Sequence, residues 1–271
     1  MNKRVQLGLK VETNNSNGFS KFNSFLKNTK KFIAFTLAET LIVMGIIGVV
    51  AALTIPNLNS STGNAEKITK LKKVYAELNE AQSRAVAIYG PLATWFINDT
   101  TNDQKTKRLA DRMTEFMKIS KDCGTSSGAC FLSSKYENYN GTNGLNGVTF
   151  YPGDSVYQQR ILASGVSIAF YYMSSYIQIA IDIDGPKKGK NYGGIDYFVF
   201  RFDPISGNYK PNYYFDSTKS AITRNGILPV SAATWVLENG NMDYLLADDD
   251  FKCKTNGKPL GYGTGQVTSC K

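Results

Sequence analysis

The chain of 271 residues contains no histidine, and it has four cysteines and two tryptophans. The lack of histidine excludes catalytic sites that use imidazole as a base and metal sites with imidazole ligands. No glycine-rich phosphate loop follows a predicted strand. Three consecutive Asp residues occupy 248–250, but such a run is typical of a solvated surface. We therefore predict that the protein is not an enzyme.

Charge is scarce between Phe35 and Ile55, where Glu39 is the single charged residue among 21. A helix of this length rises by about 31 Å, which is enough to cross the hydrocarbon core of a bilayer. A lone carboxylate in such a helix is costly in lipid, so we expect Glu39 to have a partner. An ordinary membrane anchor explains the length of this run but not the position of Glu39. A secretory signal has a shorter apolar region, and its cleavage site follows that region.

Residues 34–39, Ala-Phe-Thr-Leu-Ala-Glu, resemble the processing segment of type IV prepilins and type II secretion pseudopilins. That family has a basic leader, a small residue before the cut, and a Phe-Thr-Leu-x-Glu start to the mature chain. The resemblance implies that a prepilin peptidase cuts between Ala34 and Phe35 and methylates the new amine of Phe35. Ala34 departs from the usual glycine, whereas Pro56 falls where pilins commonly carry a proline.

The same resemblance implies how the subunits assemble. Glu39 would neutralise the free amine of a neighbouring subunit, and the helix would pack against other pilin or pseudopilin subunits. Close packing of apolar helices requires small residues. The run provides four of them, Gly45, Gly48, Ala51 and Ala52.

The positive charge is concentrated at the start of the chain. Residues 1–34 contain seven Lys or Arg and one Glu, a net charge of +6, so only +3 of the total of +9 belongs to the rest. The positive-inside rule places this leader in the cytoplasm. We therefore expect a single-pass protein of the inner (cytoplasmic) membrane, with its C-terminal domain periplasmic or extracellular and in a filament after assembly. The remaining charge gives no support for nucleic-acid binding.

All four cysteines follow the apolar run and so lie on the predicted outside, where disulfides persist. Four cysteines permit three pairings. We favour Cys123 with Cys130 and Cys253 with Cys270, because each pair closes a local loop rich in Gly, Ser, Thr and Lys. A zinc site is the alternative, but structural zinc sites use cysteine pairs that lie closer together in the sequence.

Periodicity predicts the domain organisation. After the apolar run, hydrophobic residues recur at spacings of three and four, which is typical of an amphipathic helix, and Gly90–Pro91 ends it. These residues are Ile68, Leu71, Tyr75, Leu78, Ala81, Ala85 and Ile88. The predicted parts are a removed cytoplasmic leader (1–34), a transmembrane and assembly helix (35–56), its amphipathic continuation (57–90) and a globular extracytoplasmic domain (91–271).

Alternating residues predict strands in the globular part. Ile177, Ile179 and Ile181 share one face of a strand, and the sequence suggests a hairpin before it. We expect a solvated helix over 103–119 and an antiparallel meander. The predicted fold class is α+β and pilin-like, with a long N-terminal helix (membrane half plus amphipathic half) packed on an antiparallel sheet. The predicted strands are 148–151, 166–172, 176–184 and 195–202.

Asp182, Asp184 and Asp196 form a candidate metal site of oxygen ligands, for which calcium is the suitable ion. No EF-hand pattern is present, and Lys187 and Lys188 would neutralise these carboxylates. A solvated turn with local ion pairs is therefore the alternative.

We predict a structural subunit, cut by a prepilin peptidase and assembled through its N-terminal helix into a type II secretion pseudopilus or a type IV pilus-like filament. The alternative is a membrane-anchored minor pilin or a binding or adhesion module that does not form the bulk filament. The sequence does not separate a secretion pseudopilin from a type IV or competence pilin.

Overall fold

The computed structural model describes most of the chain after residue 35. The described ranges are 36–132, 136–138, 156–185, 188, 191–208, 222–223, 226–227, 229–248 and 250–271; in 51–62, 222–223, 226–227 and 229–230 only the backbone is described. The chain divides into two compact units, Met1–Pro56 and Asn57–Lys271.

Three α-helices have described bounds: α1 (Leu37–Tyr89), α2 (Asn102–Thr114) and α3 (Pro229–Asn239). Short 3₁₀ helices follow α1 and α3, at Leu92–Thr94 and Asp243–Leu246. Gly90 follows α1 with a positive φ of 79°, a conformation that glycine adopts easily and that commonly ends a helix. Helix α2 starts at a capping box between Thr101 and Gln104.

Seven strands form the main sheet, in the order β1-β3-β4-β5-β7-β6-β2, and β8 and β9 form a separate antiparallel pair. The strands are β1 (Ile119–Gly124), β2 (Glu137–Asn138), β3 (Gln158–Leu162), β4 (Ser167–Met173), β5 (Tyr176–Asp182), β6 (Tyr192–Gly193), β7 (Tyr197–Phe202), β8 (Ile222–Thr223) and β9 (Gly226–Ile227). The predicted strand 148–151 lies outside the described residues.

The predicted antiparallel sheet was wrong, because the sheet is mixed. Strand β6 pairs in parallel with both β2 and β7. The cause is a tight turn between β6 and β7, in which the Asp196 carboxylate accepts hydrogen bonds from the amides of Asn191 (3.1 Å) and Tyr192 (2.6 Å). This turn lays β6 beside the start of β7 in the same direction. Two-residue strands carry no alternation that a sequence pattern can detect.

The predicted membrane half of the fold was wrong as well. Among the residues that the structure describes, no helix has an apolar stretch long enough to cross a membrane.

The main core lies on one face of the sheet. Ile179 and Ile181 of β5 and Phe200 of β7 pack there with Leu71 and Leu78 of α1. Helices α2 and α3 contribute further apolar side chains to the same cluster. The predicted stripe of α1 is buried at Leu71, Leu78, Ala81 and Ala85, but Ile88 at its end is exposed.

The opposite face of the sheet is also buried, but its composition differs. Tyr157, Tyr171 and Tyr197 pack there with small residues beneath Phe131 and Tyr136. Polar side chains stand among them, fully buried: Gln159, Ser167, Gln178 and Asp182. Buried polar groups are costly unless they are hydrogen-bonded, so this face is where a site for polar chemistry is expected.

Candidate functional site

The first candidate site is the start of helix α1. The side chain of Thr36 accepts a hydrogen bond from the Glu39 amide (3.2 Å), and Glu39 Oε2 accepts one from the Thr36 amide (2.8 Å). Thr36 Oγ1 also donates to Glu39 Oε2 (2.9 Å). These reciprocal bonds form a capping box, which satisfies backbone N–H groups that the first turn of a helix leaves unpaired. Glu39 therefore has a partner in its own chain, which the sequence analysis missed, although T-x-x-E is the signature of this cap.

The helix that follows this cap exposes apolar side chains on every side. Leu37 is 79% exposed and Met44 is 71% exposed, and a Cβ added at Gly45 or Gly48 would meet no atom within 4 Å. A helix that is apolar all round is normally buried in a protein or a membrane. The exposed residues, which we call the apolar segment, are Leu37, Leu41, Ile42, Val43, Met44, Ile46, Ile47, Val49 and Val50.

Part of the predicted processing and packing site is not described. Ala34 and Phe35 lie outside the described residues, and the side chains of Ala51, Ala52 and Pro56 are outside them too. The cleavage site and the role of Pro56 therefore stay predictions.

The second candidate site is the carboxylate cluster at the end of β5. Asp182 is buried, and its carboxylate accepts hydrogen bonds from the Tyr136 hydroxyl (2.7 Å) and the Gly185 amide (2.9 Å). Burial is the main cause that raises the pKa of Asp182 to about 7, and the charges of Asp196 and Asp184 raise it further, against the hydrogen bond from Tyr136.

Two hydroxyl groups flank Asp182 across the sheet. Ser167 pairs with Asp182 on β4, and Tyr197 pairs with it on β7, so the three side chains share one face. Both hydroxyl groups are buried and have no hydrogen-bond partner in the described part of the chain. The sequence analysis missed Ser167 and Tyr197, because only the register of the sheet reveals their position, and Tyr136, because it lies 46 residues before Asp182.

The structure brings the three predicted calcium ligands into one region but uses two of them for other contacts. Both carboxylate oxygens of Asp196 accept backbone hydrogen bonds, and those of Asp182 are bonded to Tyr136 and Gly185. Asp184 Oδ1 is buried without a described partner. Among the described residues no group of three or more His, Cys, Asp or Glu side chains is arranged to hold a metal ion. Calcium binding stays a prediction.

The disulfides connect Cys123 with Cys130 and Cys253 with Cys270. The first covers the polar face of the sheet and the second belongs to the main core. The first loop also contains the pattern G-x-S-x-G over 124–128, which the sequence analysis overlooked. Gly124 ends strand β1, and the residues after it form turns and no helix, unlike the strand-to-helix turn that carries a hydrolase nucleophile, so the pattern does not indicate a catalytic serine.

Two of the four basic residues of α2 form ion pairs. Arg108 makes two hydrogen bonds to Asp99 (2.6 and 2.8 Å), and Lys107 bonds to Asp111 (2.5 Å). The bidentate bond to Arg108 is the main cause of the lowered pKa of Asp99. Leu109, Ala110 and Met113 of the same helix are buried in the main core, which agrees with a helix that covers the core.

Comparison with known proteins identifies the globular part. Residues 57–267 match the sequence profile of DUF6613, a family of unknown function. The chain belongs to the DUF6613 family. No curated protein and no solved structure matches it.

The DUF6613 match contains most of the second compact unit and excludes the apolar segment. The carboxylate cluster and the first disulfide lie inside the matched range, whereas the capping box of α1 lies before it. Membership of DUF6613 therefore bears on the globular unit and leaves the N-terminal segment to be argued from its own residues.

Proposed function

We propose that the protein is a prepilin-like structural subunit. A prepilin peptidase cuts it between Ala34 and Phe35, and it assembles through the apolar segment into a type II secretion pseudopilus or a type IV pilus-like filament. The observation that carries this proposal is the exposure of the apolar segment on all sides of α1. The processing motif at residues 34–39 supports it.

The free energy of burying the side chains of the apolar segment supports assembly. Nine large apolar side chains are each more than half exposed. Burial of one such side chain contributes about 1.5–3 kcal/mol, so leaving the whole set in water is strongly unfavourable. Exposed apolar patches of this extent mark interaction sites.

The small residues favour other helices as the partner. Gly45 and Gly48 have open space around them, so a second helix can approach their backbone closely. Dispersion contacts at such positions drive the packing of apolar helices. In the proposed filament the partner is the same segment of a neighbouring subunit.

Glu39 has two roles in this proposal, and they are separable. Its carboxylate caps its own helix through Thr36. After cleavage it would also pair with the amine of Phe35 of a neighbouring subunit. The cap needs only an oxygen acceptor, whereas the pairing needs the negative charge.

The experiment that tests processing is N-terminal sequencing and intact mass of the protein from membranes of its host. We expect a methylated Phe35 at the N-terminus and a gain of four hydrogen atoms on reduction of the two disulfides. The control is the same host without its prepilin peptidase. An intact N-terminus, or a cut after residue 55, would overturn the proposal.

Two substitutions separate the roles of Glu39. Glu39→Gln keeps an acceptor oxygen for the cap but removes the charge, whereas Thr36→Val removes the cap and keeps the charge. We expect cross-linked oligomers in membranes to be lost in Glu39→Gln and retained in Thr36→Val. The reverse pattern would mean that Glu39 acts only as a helix cap.

The predicted location, in the inner membrane with the C-terminal domain outside, is part of the proposal. Extraction of host membranes with alkaline carbonate, followed by protease treatment of intact spheroplasts, tests it. The number of copies per cell separates the bulk subunit from a minor pilin or binding module, because a filament needs its main subunit in large excess.

A further inference from the structure

A cleft of about 630 Å³ lies between the end of α1 and one face of α2. Its lining includes Tyr89 from α1, Asp99 from the connecting loop, and Gln104, Arg112 and Glu115 from α2 or its end. The cleft belongs to the globular unit and shares no residue with the apolar segment or the carboxylate cluster. Its volume is in the range of pockets that bind small molecules.

The acidic residues of this cleft are all engaged by donors. Asp99 is bonded to Arg108, and Asp111 is bonded to Lys107. The hydroxyl of Tyr89 donates to Glu115. All three carboxylates of the lining are therefore hydrogen-bonded, and two of its three cationic side chains, Lys107 and Arg108, are paired with them.

Arg112 is the remaining cation of the lining. Within the described part of the chain its guanidinium makes no ion pair and no hydrogen bond. It lies instead over two aromatic rings, with its central carbon 4.5 Å from the Tyr89 ring centroid and 5.3 Å from that of Trp95. Contact with two rings holds the guanidinium in place and leaves its N–H donors unused.

Gln104 also lines the cleft, eight residues before Arg112, about 12 Å along the axis of α2. Its carbonyl oxygen accepts hydrogen bonds from the amides of Thr100 (2.9 Å) and Thr101 (3.2 Å). This fixes the side chain, while its NH₂ group donates to no described residue. The oriented guanidinium of Arg112 presents donors only, which is the chemistry that recognises an oxyanion.

We propose that this cleft is an oxyanion-binding site, in which the Arg112 guanidinium binds a carboxylate or phosphate group. The planar fork of an arginine matches two oxygen atoms of such a group. The inference is independent of processing and assembly, so its failure would leave the proposed filament function untouched.

The competing role of Arg112 is structural, since its ring contacts join α2 to the end of α1. Binding and packing make different predictions for added anions. A packing residue gives no saturable response to an anion, whereas a binding residue gives one that depends on its N–H donors.

The test is a titration of the full-length protein in a nonionic detergent at constant ionic strength, with chloride as the replacement salt. Sodium acetate, inorganic phosphate and the peptide N-acetyl-Asp-Asp-Asp-amide serve as probes. The first readout is the fluorescence of Trp95 in a Trp235→Phe background, because the chain has only two tryptophans. The second readout is the thermal unfolding midpoint of the protein with both tryptophans, which rises when a ligand binds the folded state.

We expect a saturable response with a Kd on the order of millimolar. Arg112→Gln should weaken binding at least tenfold, and Arg112→Lys should weaken it less, because it keeps the charge and loses the fork. Arg84→Gln is the matched control, since Arg84 also lies over a ring, that of Phe116, but lines a different cleft. Tighter binding of the peptide than of acetate or phosphate would identify an acidic polypeptide as the source of the oxyanion, and equal binding a small molecule. The absence of saturation in both readouts, or equal binding by Arg112→Gln and Arg84→Gln, would overturn the proposal.

Discussion

Apolar side chains are exposed in one described part of helix α1 and buried in the other. In the first part, up to Val50, every large apolar residue is more than half exposed. In the second part, Leu71, Leu78 and Ala81 are fully buried against the sheet and its covering helices. Both parts are helical.

The difference shows that a stretch of this sequence can form a helix whether or not its apolar side chains pack against the rest of the chain. The second part has apolar residues on one face and charged residues on the other, so the apolar face packs against its own domain and the charged face contacts water. Lys70 and Glu66, for example, form an exposed pair at 2.8 Å. The first part has no polar face, so its apolar side chains need a protein or lipid environment that the described chain does not supply.

The strongest test of this contrast is a charge placed in the apolar segment. We expect Ile47→Lys to abolish assembly and to leave the unfolding of the globular unit unchanged, because Ile47 has no core contact to lose. Ile88→Lys is the matched control, since Ile88 is 63% exposed and Ile47 is 61% exposed in the same helix. Cross-linking in membranes measures assembly. Loss of oligomers in both variants would mean that added charge, rather than its position, prevents assembly.

The opposite substitution tests the buried part of α1. Leu78→Ala removes a fully buried side chain, and we expect the free energy of unfolding to fall by about 2–5 kcal/mol. Ile47→Ala, measured alongside by urea denaturation, should change it by less than about 0.5 kcal/mol. A similar loss in both variants would show that the apolar segment is packed in the isolated protein.

The dependence of stability on pH separates the globular unit from the apolar segment, because the globular unit buries Asp182. Its pKa of about 7 in the folded state is above the value of about 3.9 in an unfolded chain. Between these two values the folded state keeps a proton that the unfolded state has lost. The free energy of unfolding should therefore fall as the pH rises from about 4 to 7, by at most about 1.4 kcal/mol per pH unit, and then stay level.

Asp182→Asn removes this titration and should flatten the profile, while Asp250→Asn, at an exposed position, should not. Urea denaturation at several pH values in the presence of EDTA is the measurement. A profile of Asp182→Asn that keeps the slope would assign the titration to another group.

The smallest expected effect concerns the start of α1. Thr36→Ala removes the acceptor for the Glu39 amide, and we expect the first turn to lose about 0.5–2 kcal/mol of stability. Hydrogen exchange at the amides of residues 37–40 measures it. Thr40→Ala is the control, because Thr40 donates its hydroxyl only to the Leu37 carbonyl within the same helix. Unchanged exchange in Thr36→Ala would mean that the cap is not formed in solution.

The regular parts of the fold were predictable because their patterns are strong. The isoleucines of β5 and the phenylalanines of β7 alternate, and they do share the core face of adjacent antiparallel strands. Strands β1 and β3 were missed, since ISKDCG and QQRIL show no apolar alternation. Arg160 of β3 is buried because it pairs with Asp122 at 2.8 Å, and a contact of this kind is invisible in the sequence.

The candidate sites were predictable only in part. The apolar segment and Glu39 follow from local composition, and so does the cap, since all its members lie within four residues. The surroundings of Asp182 depend on Tyr136, 46 residues earlier, and on strand register. The cleft at Arg112 depends on how α2 lies against the end of α1, for which no local pattern exists.

The short reach of both disulfides has a consequence for the order of events during folding. The paired cysteines are 7 and 17 residues apart, whereas a bond between Cys123 and Cys253 would close a loop of about 130 residues. Closing that longer loop costs about 2–3 kcal/mol more in chain entropy than closing the seven-residue loop. Loops of about ten residues close within roughly 10–100 ns, long before a sheet with distant strands can form. Correct oxidation therefore needs no folded template, and each bond can form as soon as its own short stretch of chain meets an oxidant.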